Sequence, residues 1–417
     1  MSYFDLKTDL SAEDIALKDQ VHKFARDVMR PVAKQFDGMK ADEVVAPDSP
    51  LWPFLKKVYE LGYHKALMPE YYGGLGLNPL QISLVFEELG WGSFGMSVGM
   101  TVLCFPFYCA CLANQEHLIE SYVKPFCECT DASIRGCWAI TEPDHGSDYV
   151  ATAEDYFRSP KMRGNTQIRL DGNEWVIDGQ KSQWVSGGTI ATHALLHAQI
   201  DPSLGFGGNG VFVIPLDSPG VTKGPALRKI GQRDLNQGEI FFDGVRVPKD
   251  SIIVEPDYYV PMMDIILAAA NLCMANWAIG LARASFEEAF NYCKERVQGG
   301  RPLIEHHSIK QRLFTMFSRV ETCRVVGRAA ANLNFNISPP FVEYSLWAKT
   351  QNTQMAYENA HDAIQILGGY GLTEEYLTEK LFRDARATLI EDGNNEMLAA
   401  HGGHILAETY PRPPIDF

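Results

Sequence analysis

The sequence lacks a basic surplus, a metal-ligand signature and an N-terminal apolar leader. Its 37 Lys and Arg are outnumbered by 52 Asp and Glu, a formal charge of −15, which argues against a nucleic-acid surface and leaves no polybasic membrane patch. The nine cysteines form no CxxC pair, and His193/His197 and His401/His404 bring no matching cysteines, so no metal site is expected. Cys104, Cys109 and Cys111 sit among apolar neighbours and read as buried free thiols in a reducing compartment. The opening MSYFDLKTDLSAEDIALKD has no apolar core of the secretory kind, so a cytoplasmic location, or an organelle matrix, is expected. The longest apolar run, Ile265 to Ala282, is broken by Asn271 and Asn276 and flanked by Asp264 and Arg283. It fits a buried bundle helix better than a membrane span, and no membrane insertion is expected. No internal repeat or low-complexity tract stands out.

What is present is a chain of 417 residues, 46% of them apolar, long enough for two or three domains. From Ser11 to Phe36 apolar residues recur at helical spacing, with Ser11 a natural N-cap. A second helix near Leu55 to Leu61, a glycine-rich turn at MPEYYGGLGLNP and a long apolar stretch through Ala113 make the first 125 residues or so all-helical. The pattern changes at Gln167 to Gly179, where QIRLDGNEWVIDG alternates and carries the hairpin signal Asp171-Gly172. ATHALLHAQI, GVFVIPL and EIFFDGVRV follow with β-rich composition. Four helical segments are then expected, at about 260–297, 307–335, 341–367 and 377–400. The class is α+β, mainly helical, with domains at 1–130, 131–255 and 256–417. A cleft between a β domain and a helical bundle is a natural seat for a flat cofactor.

Within the last segment, RDARATLIEDGNNEML holds two adjacent carboxylates, Glu391 and Asp392, followed by Gly393, Asn394 and Asn395. Glycine and asparagine tolerate positive φ, so the helix should end or bend where the acids sit. Acids beside such residues also occur in ordinary solvated turns, and their company decides between the two readings. That company is AITEPDHGSDYVA at Ala139 to Ala151, QKSQWVSGG at Gln180 to Gly188, and KERVQGGRPLIEHHSIK at Lys294 to Lys310.

Together these segments resemble the acyl-CoA dehydrogenase family of flavoproteins. The likeness runs nearly the whole chain, from PEYYGGLGL and EELG through QILGGYGLTEEY and RDAR to the final helix. The resemblance implies a helical domain, an antiparallel β-barrel-like middle domain and a C-terminal four-helix bundle, in a homo-oligomer, typically a tetramer, with FAD. It implies that Ile140, Thr141, Ser147, Trp184 and Ser186 lie along the flavin ring. Arg296, Leu303, His307, Gln365, Gly368 and Gly369, with Asn394 and Glu396, would hold the rest of the cofactor, partly across a subunit boundary. Gly299 stands where the family carries Phe, and His307 where it carries Gln.

Where the family has Tyr-Glu-Gly-Thr, this chain has Glu391, Asp392, Gly393 and Asn394. Asp392 thus takes the place of the base that removes the proton α to the thioester, one methylene or roughly 1.5 Å shorter in reach. An alternative base position used by a minority of the family falls on Ala270, with Asn271 beside it. Ser147, Asn271, Arg383 and Gly393 are the implied acyl-CoA contacts, and an electron-transfer flavoprotein the implied electron acceptor. The shortened base and Ala268, Ala269 and Ala270 allow a branched, cyclic or otherwise bulky acyl group. The other readings are an oxidase similar to nitroalkane oxidase, which also uses Asp and carries a segment like Gly299 to His306, and a member without dehydrogenation, a lyase or an interaction protein.

Overall fold

The computed structural model describes residues 5–7 and 9–411. Its N-terminal third is helical as expected. Ser11 caps the helix Ala12–Phe24 in a capping box with Asp14, and a π turn at Ala25–Met29 continues it into Arg30–Asp37. Helices Leu51–Glu60, Pro79–Gly92, Phe94–Val102 and Phe105–Ala113 follow.

The middle of the chain forms eight strands: β1 (Gly136–Ala139), β2 (Gln167–Asp171), β3 (Glu174–Lys181), β4 (His193–Gln199), β5 (Asn209–Pro215), β6 (Val221–Lys223), β7 (Ile240–Pro248) and β8 (Ile252–Val254). They make one sheet in the order β6-β7-β3-β2-β4-β5-β8, with β1 on β4. Most pairs are antiparallel, as expected, while β1 and β2 both pair with β4 in parallel. The β2–β3 hairpin is present, with Asp171 paired to Glu174, so its turn residues are Gly172 and Asn173 rather than Asp171-Gly172. β4 is buried on both faces. Ala194, Leu196 and Ala198 join the sheet's own core, while Leu195 joins the core of the helical domains.

The C-terminal region is built on Tyr259–Glu295, packed against His307–Asn334, Val342–Leu367 and Pro79–Gly92. This is the helix that contains the apolar run; Pro256–Glu295 is long and apolar enough to cross a membrane, but 94% of its most apolar window is buried within the protein. A Cβ on Gly280 would come within 2.1 Å of the Glu87 carbonyl oxygen, so only glycine permits this helix crossing. The crossing is locked by ions. Glu87 accepts from Arg283 at 2.6 Å and from Arg324 at 2.8 Å, and Glu88 from Arg283 at 2.5 Å. Burial alone would raise Glu88, but the guanidinium of Arg283 and the His22 contact bring it down to about 2.

The expected fourth segment, 377–400, is not one helix. It divides into Thr378–Thr388 and Asn395–Thr409, and the break falls on the two acids.

Candidate functional site

The break is built by backbone chemistry. The N–H groups of Ile390 and Glu391 still reach the Ala387 carbonyl, at 2.9 and 3.2 Å, and then Asp392 and Gly393 turn the chain with φ of 55° and 89°. Asn394 caps the next helix, its Oδ1 accepting from the Met397 N–H at 2.8 Å. The left-handed region is more tolerant of Asp than of longer side chains, which suits Asp to position 392. Asp392 is therefore not helical, and the helix ends where the acids sit, as expected.

The acids separate into two environments. Glu391 accepts a hydrogen bond from Gln232 Nε2, in the segment before β7. Among the described residues no hydrogen bond or ion pair engages the Asp392 carboxylate, which is half-buried. Burial pushes Asp392 up to about 6, against the pull of Lys349. Burial and the neighbouring Asp392 charge push Glu391 up to about 7, against Gln232, Lys229 and Lys349. Lys349, fully buried, donates from Nζ to the Gly393 carbonyl and to Asn395 Oδ1, each at 2.8 Å. Its own pKa falls to about 8 through burial, offset in part by the two acids.

Other expected site residues close around this turn. Ser147 Oγ accepts from the Asn394 N–H at 3.1 Å, and Asn271 Nδ2 donates to the Asp392 carbonyl at 3.4 Å. The Asn271 Oδ1 is buried with no partner among the described residues. The guanidinium of Arg383 is held within the protein. It donates to Asp37, Glu379 and the Ile230 carbonyl, which occupies all of its N–H groups. Likewise the Asn394 side chain is taken up by capping, and Glu396 is exposed in the first turn of the last helix.

On the sheet side, Thr141 Oγ1 accepts from Ser182 Oγ at 2.9 Å, and Lys181 Nζ donates to the Ile140 carbonyl at 3.0 Å. Gln237 Nε2 donates to Ser186 Oγ at 3.1 Å and to the Trp184 carbonyl at 3.2 Å. Trp184 is 54% exposed, an aromatic wall that no side chain of the protein covers fully.

A second group lies at the other end of the bundle. Arg296 follows the last turn of Tyr259–Glu295, its guanidinium 5.5 Å from the Tyr370 ring, and its carbonyl accepts from the Leu303 N–H at 2.8 Å. Gly368, Gly369 and Gln365 end Val342–Leu367 beside Tyr370, and His307, exposed, opens the preceding helix His307–Asn334. Asn271 and Arg296 are 25 residues apart along one helix, so about 37 Å separates the groups at 1.5 Å per residue. No hydrogen bond or ion pair among the described residues joins them.

Both groups fit a flavin dinucleotide. An open aromatic face with hydroxyls beside it suits the ring. Cβ atoms on Gly368 and Gly369 would meet nothing within 4 Å, so there the backbone lies open to close approach. With a carboxylate of raised proton affinity that no described residue pairs, these features fit a flavin-dependent oxidoreductase.

The comparisons agree. Models of the N-terminal, middle and C-terminal domains of acyl-CoA dehydrogenase match residues 11–118, 137–245 and 262–406. The mitochondrial short-chain specific acyl-CoA dehydrogenase of Bos taurus is 31% identical over 395 residues, 94% of this chain and 89% of that protein. The structure of butyryl-CoA dehydrogenase from Megasphaera elsdenii superposes with a TM-score of 0.83 at 25% identity, covering 98% of this chain and 100% of the other. A glutaryl-CoA dehydrogenase in complex with glutaryl-CoA gives 0.82 at 26%, over 96% of this chain and 95% of the other. The chain belongs to the acyl-CoA dehydrogenase family, FAD-dependent oxidoreductases that act on CH–CH bonds.

Several residues that shape the site carried no sequence signal. Lys349 and Gln232 read as ordinary polar positions, and Lys181 as one more residue of a hairpin end. In the structure Lys181 is buried against Glu142, with Nζ to Oε1 at 2.8 Å, so the Glu of the Thr-Glu-Pro motif is an internal brace.

Proposed function

We propose that this protein oxidises an acyl-CoA thioester between its α and β carbons, with Asp392 as the base that takes the α proton. The observation that carries the proposal is the state of Asp392: half-buried, at a turn held by Ser147, Asn271 and Lys349, and engaged by no hydrogen bond among the described residues. Such a carboxylate is ionised at neutral pH yet avid for a proton, the balance a general base needs. FAD, when bound, supplies the acceptor for the hydride that leaves the β carbon.

Ile140, Thr141, Ser147, Trp184 and Ser186 would line the ring of that cofactor. The group about 37 Å away along the bundle, Arg296, Leu303, His307, Gln365, Gly368 and Gly369, would serve the cofactor of a neighbouring copy in a homotetramer. Asn394 and Glu396, at the start of the last helix, would add to the hold on the rest of the cofactor. An electron-transfer flavoprotein is the proposed oxidant of the reduced enzyme.

The names of the relatives support a CoA thioester as substrate and favour short acyl groups. The short Asp392 side chain supports a bulkier acyl group; Ala268, Ala269 and Ala270 add little, since all three are buried in the protein core. Anaerobic bleaching of the flavin by straight-chain, branched and alicyclic acyl-CoAs orders the candidates. Asp392→Asn should slow bleaching by about 10²- to 10⁴-fold, and an unchanged rate would sink the base assignment. Bleaching by small carbon acids without CoA, followed by fast peroxide production in air, would instead support the oxidase.

A further inference from the structure

Position 391 is where this chain departs from the aromatic residue of its family, and the structure gives the departure a partner. Gln232 is buried and holds a left-handed backbone, φ 48°. Its N–H donates to Asp384 Oδ1 at 2.5 Å, and Asp384 in turn is bound by Lys380 Nζ at 2.5 Å, which also reaches Asp234 at 3.1 Å. The preceding Gly231 lies so close to Thr378–Thr388 that a Cβ there would stand 2.2 Å from the Arg383 carbonyl oxygen. From this fixed point the Gln232 side chain reaches Glu391. Lys229, three residues earlier, donates to Gln237 Oε1 at 2.8 Å, and Gln237 holds Trp184 and Ser186. One polar chain therefore joins the turn that carries the base to the wall proposed for the flavin ring.

We propose that Glu391 is a positioning residue: through Gln232 it clamps the Asp392 turn to the 229–237 segment and, held beside Asp392, takes up and releases protons with it as one pair. The proposal rests on Asp392 being the base. Three sets of charged groups face the pair. Lys349 approaches from Val342–Leu367, Lys229 from the segment before β7, and Asp384, Lys380 and Asp234 stand behind Gln232. Cys273 of Tyr259–Glu295 lies near Asp392, and its thiol is pushed up by burial and by that carboxylate, so it stays neutral. Glu396 adds a further negative charge beside Lys349. With two acids sharing this field, a proton on one eases ionisation of the other.

Three FAD-loaded variants test this against the wild type. Glu391→Gln keeps an acceptor for Gln232 and removes the charge, so the acidic limb of kcat/KM should move down by about one pH unit with KM little changed. Gln232→Asn tolerates the left-handed backbone but falls a methylene short of Glu391, and kcat should drop roughly tenfold through displacement of the turn. Thermal unfolding supplies a readout apart from turnover: the wild type should lose Tm between pH 4.5 and 7 as Glu391 ionises, and Glu391→Gln should lose less. The third variant, Asp392→Asn, guards the underlying assignment. If it is inactive while Glu391→Gln leaves both the acidic limb and the Tm profile in place, or while Gln232→Asn behaves as wild type, the positioning role is wrong. If Asp392→Asn itself is fully active, the base assignment has failed instead.

Discussion

Lys349 Nζ donates to the carbonyl oxygen of Gly393 at 2.8 Å, so a fully buried ammonium lies under the turn that carries the proposed base. The same nitrogen reaches Asn395 Oδ1. Replacing it with an apolar residue removes both donors and the nearest opposing charge. Lys349→Met should cost about 1.5–3 kcal/mol of stability and raise the proton affinity of Asp392, moving the acidic limb of kcat/KM upward. Urea unfolding and a pH–rate profile on one preparation check both.

The carboxyl pair also predicts how rate and stability part company with pH. Asp392 at about 6 and Glu391 at about 7 titrate as a pair, so kcat/KM should rise with pH through 6 to 7 as the base loses its proton. Stability runs the other way. Both folded values lie above the ordinary 3.8 and 4.5, so between those limits the folded protein keeps protons that the unfolded chain has lost, and the contribution of the pair falls as pH rises. Measuring both over pH 5 to 8 distinguishes this from general acid unfolding, which would lower them together.

Backbone conformation at 392 separates function from folding. Asn tolerates φ near 55° as Asp does and carries no charge to bury, so Asp392→Asn should fold with at least wild-type stability at neutral pH and lose its chemistry. Asp392→Glu restores a carboxylate with longer reach, at about 1 kcal/mol for the left-handed backbone, and should regain activity with an altered acyl-group preference. Calorimetry beside flavin bleaching reads the two effects.

At the far end of the bundle, Gly369 would meet no neighbour with a Cβ and has no left-handed φ, so Gly369→Leu should leave the fold intact. A leucine there would enter the space proposed for the cofactor. Flavin retention should weaken by tenfold or more, about 1.4 kcal/mol or greater, measured as flavin absorbance per chain after dialysis.

Glu142 accepts from Lys181 at 2.8 Å and from the Thr166 N–H at 2.9 Å. Burial would raise its pKa, but these partners bring it down from 4.5 to about 2. Its stabilisation is complete above 4.5 and is lost as pH falls toward 2. Glu142→Gln should therefore cost about 3–5 kcal/mol at pH 7, an effect that shrinks on acidification.

Much of this was legible in the chain itself. Start and stop signals placed most helices of the bundle, and the apolar run at 265–282 proved to be a core helix, buried without a break from Ile266 to Ser285, because its asparagines and flanking charges have partners inside the protein. The strand pairing was less legible. β1 and β2 join β4 in parallel across long connections, and local alternation carries no record of such partners. Arg383 shows the same limit at the level of one residue. A motif placed it at the site, but Asp37, some 346 residues earlier, decides where its guanidinium points.

The sequence by itself determined the order of helical and β regions, the break at the two acids and the motifs of a flavin-dependent acyl-CoA dehydrogenase, because these follow from local periodicity, turn chemistry and residue type. Only the tertiary structure decided which carboxylate is free. Gln232 and Lys349, distant in sequence and buried, engage Glu391 and the turn, while no hydrogen bond or ion pair among the described residues engages the Asp392 carboxylate. That choice depends on a field summed over several elements in a desolvated site, and no run of adjacent residues encodes it.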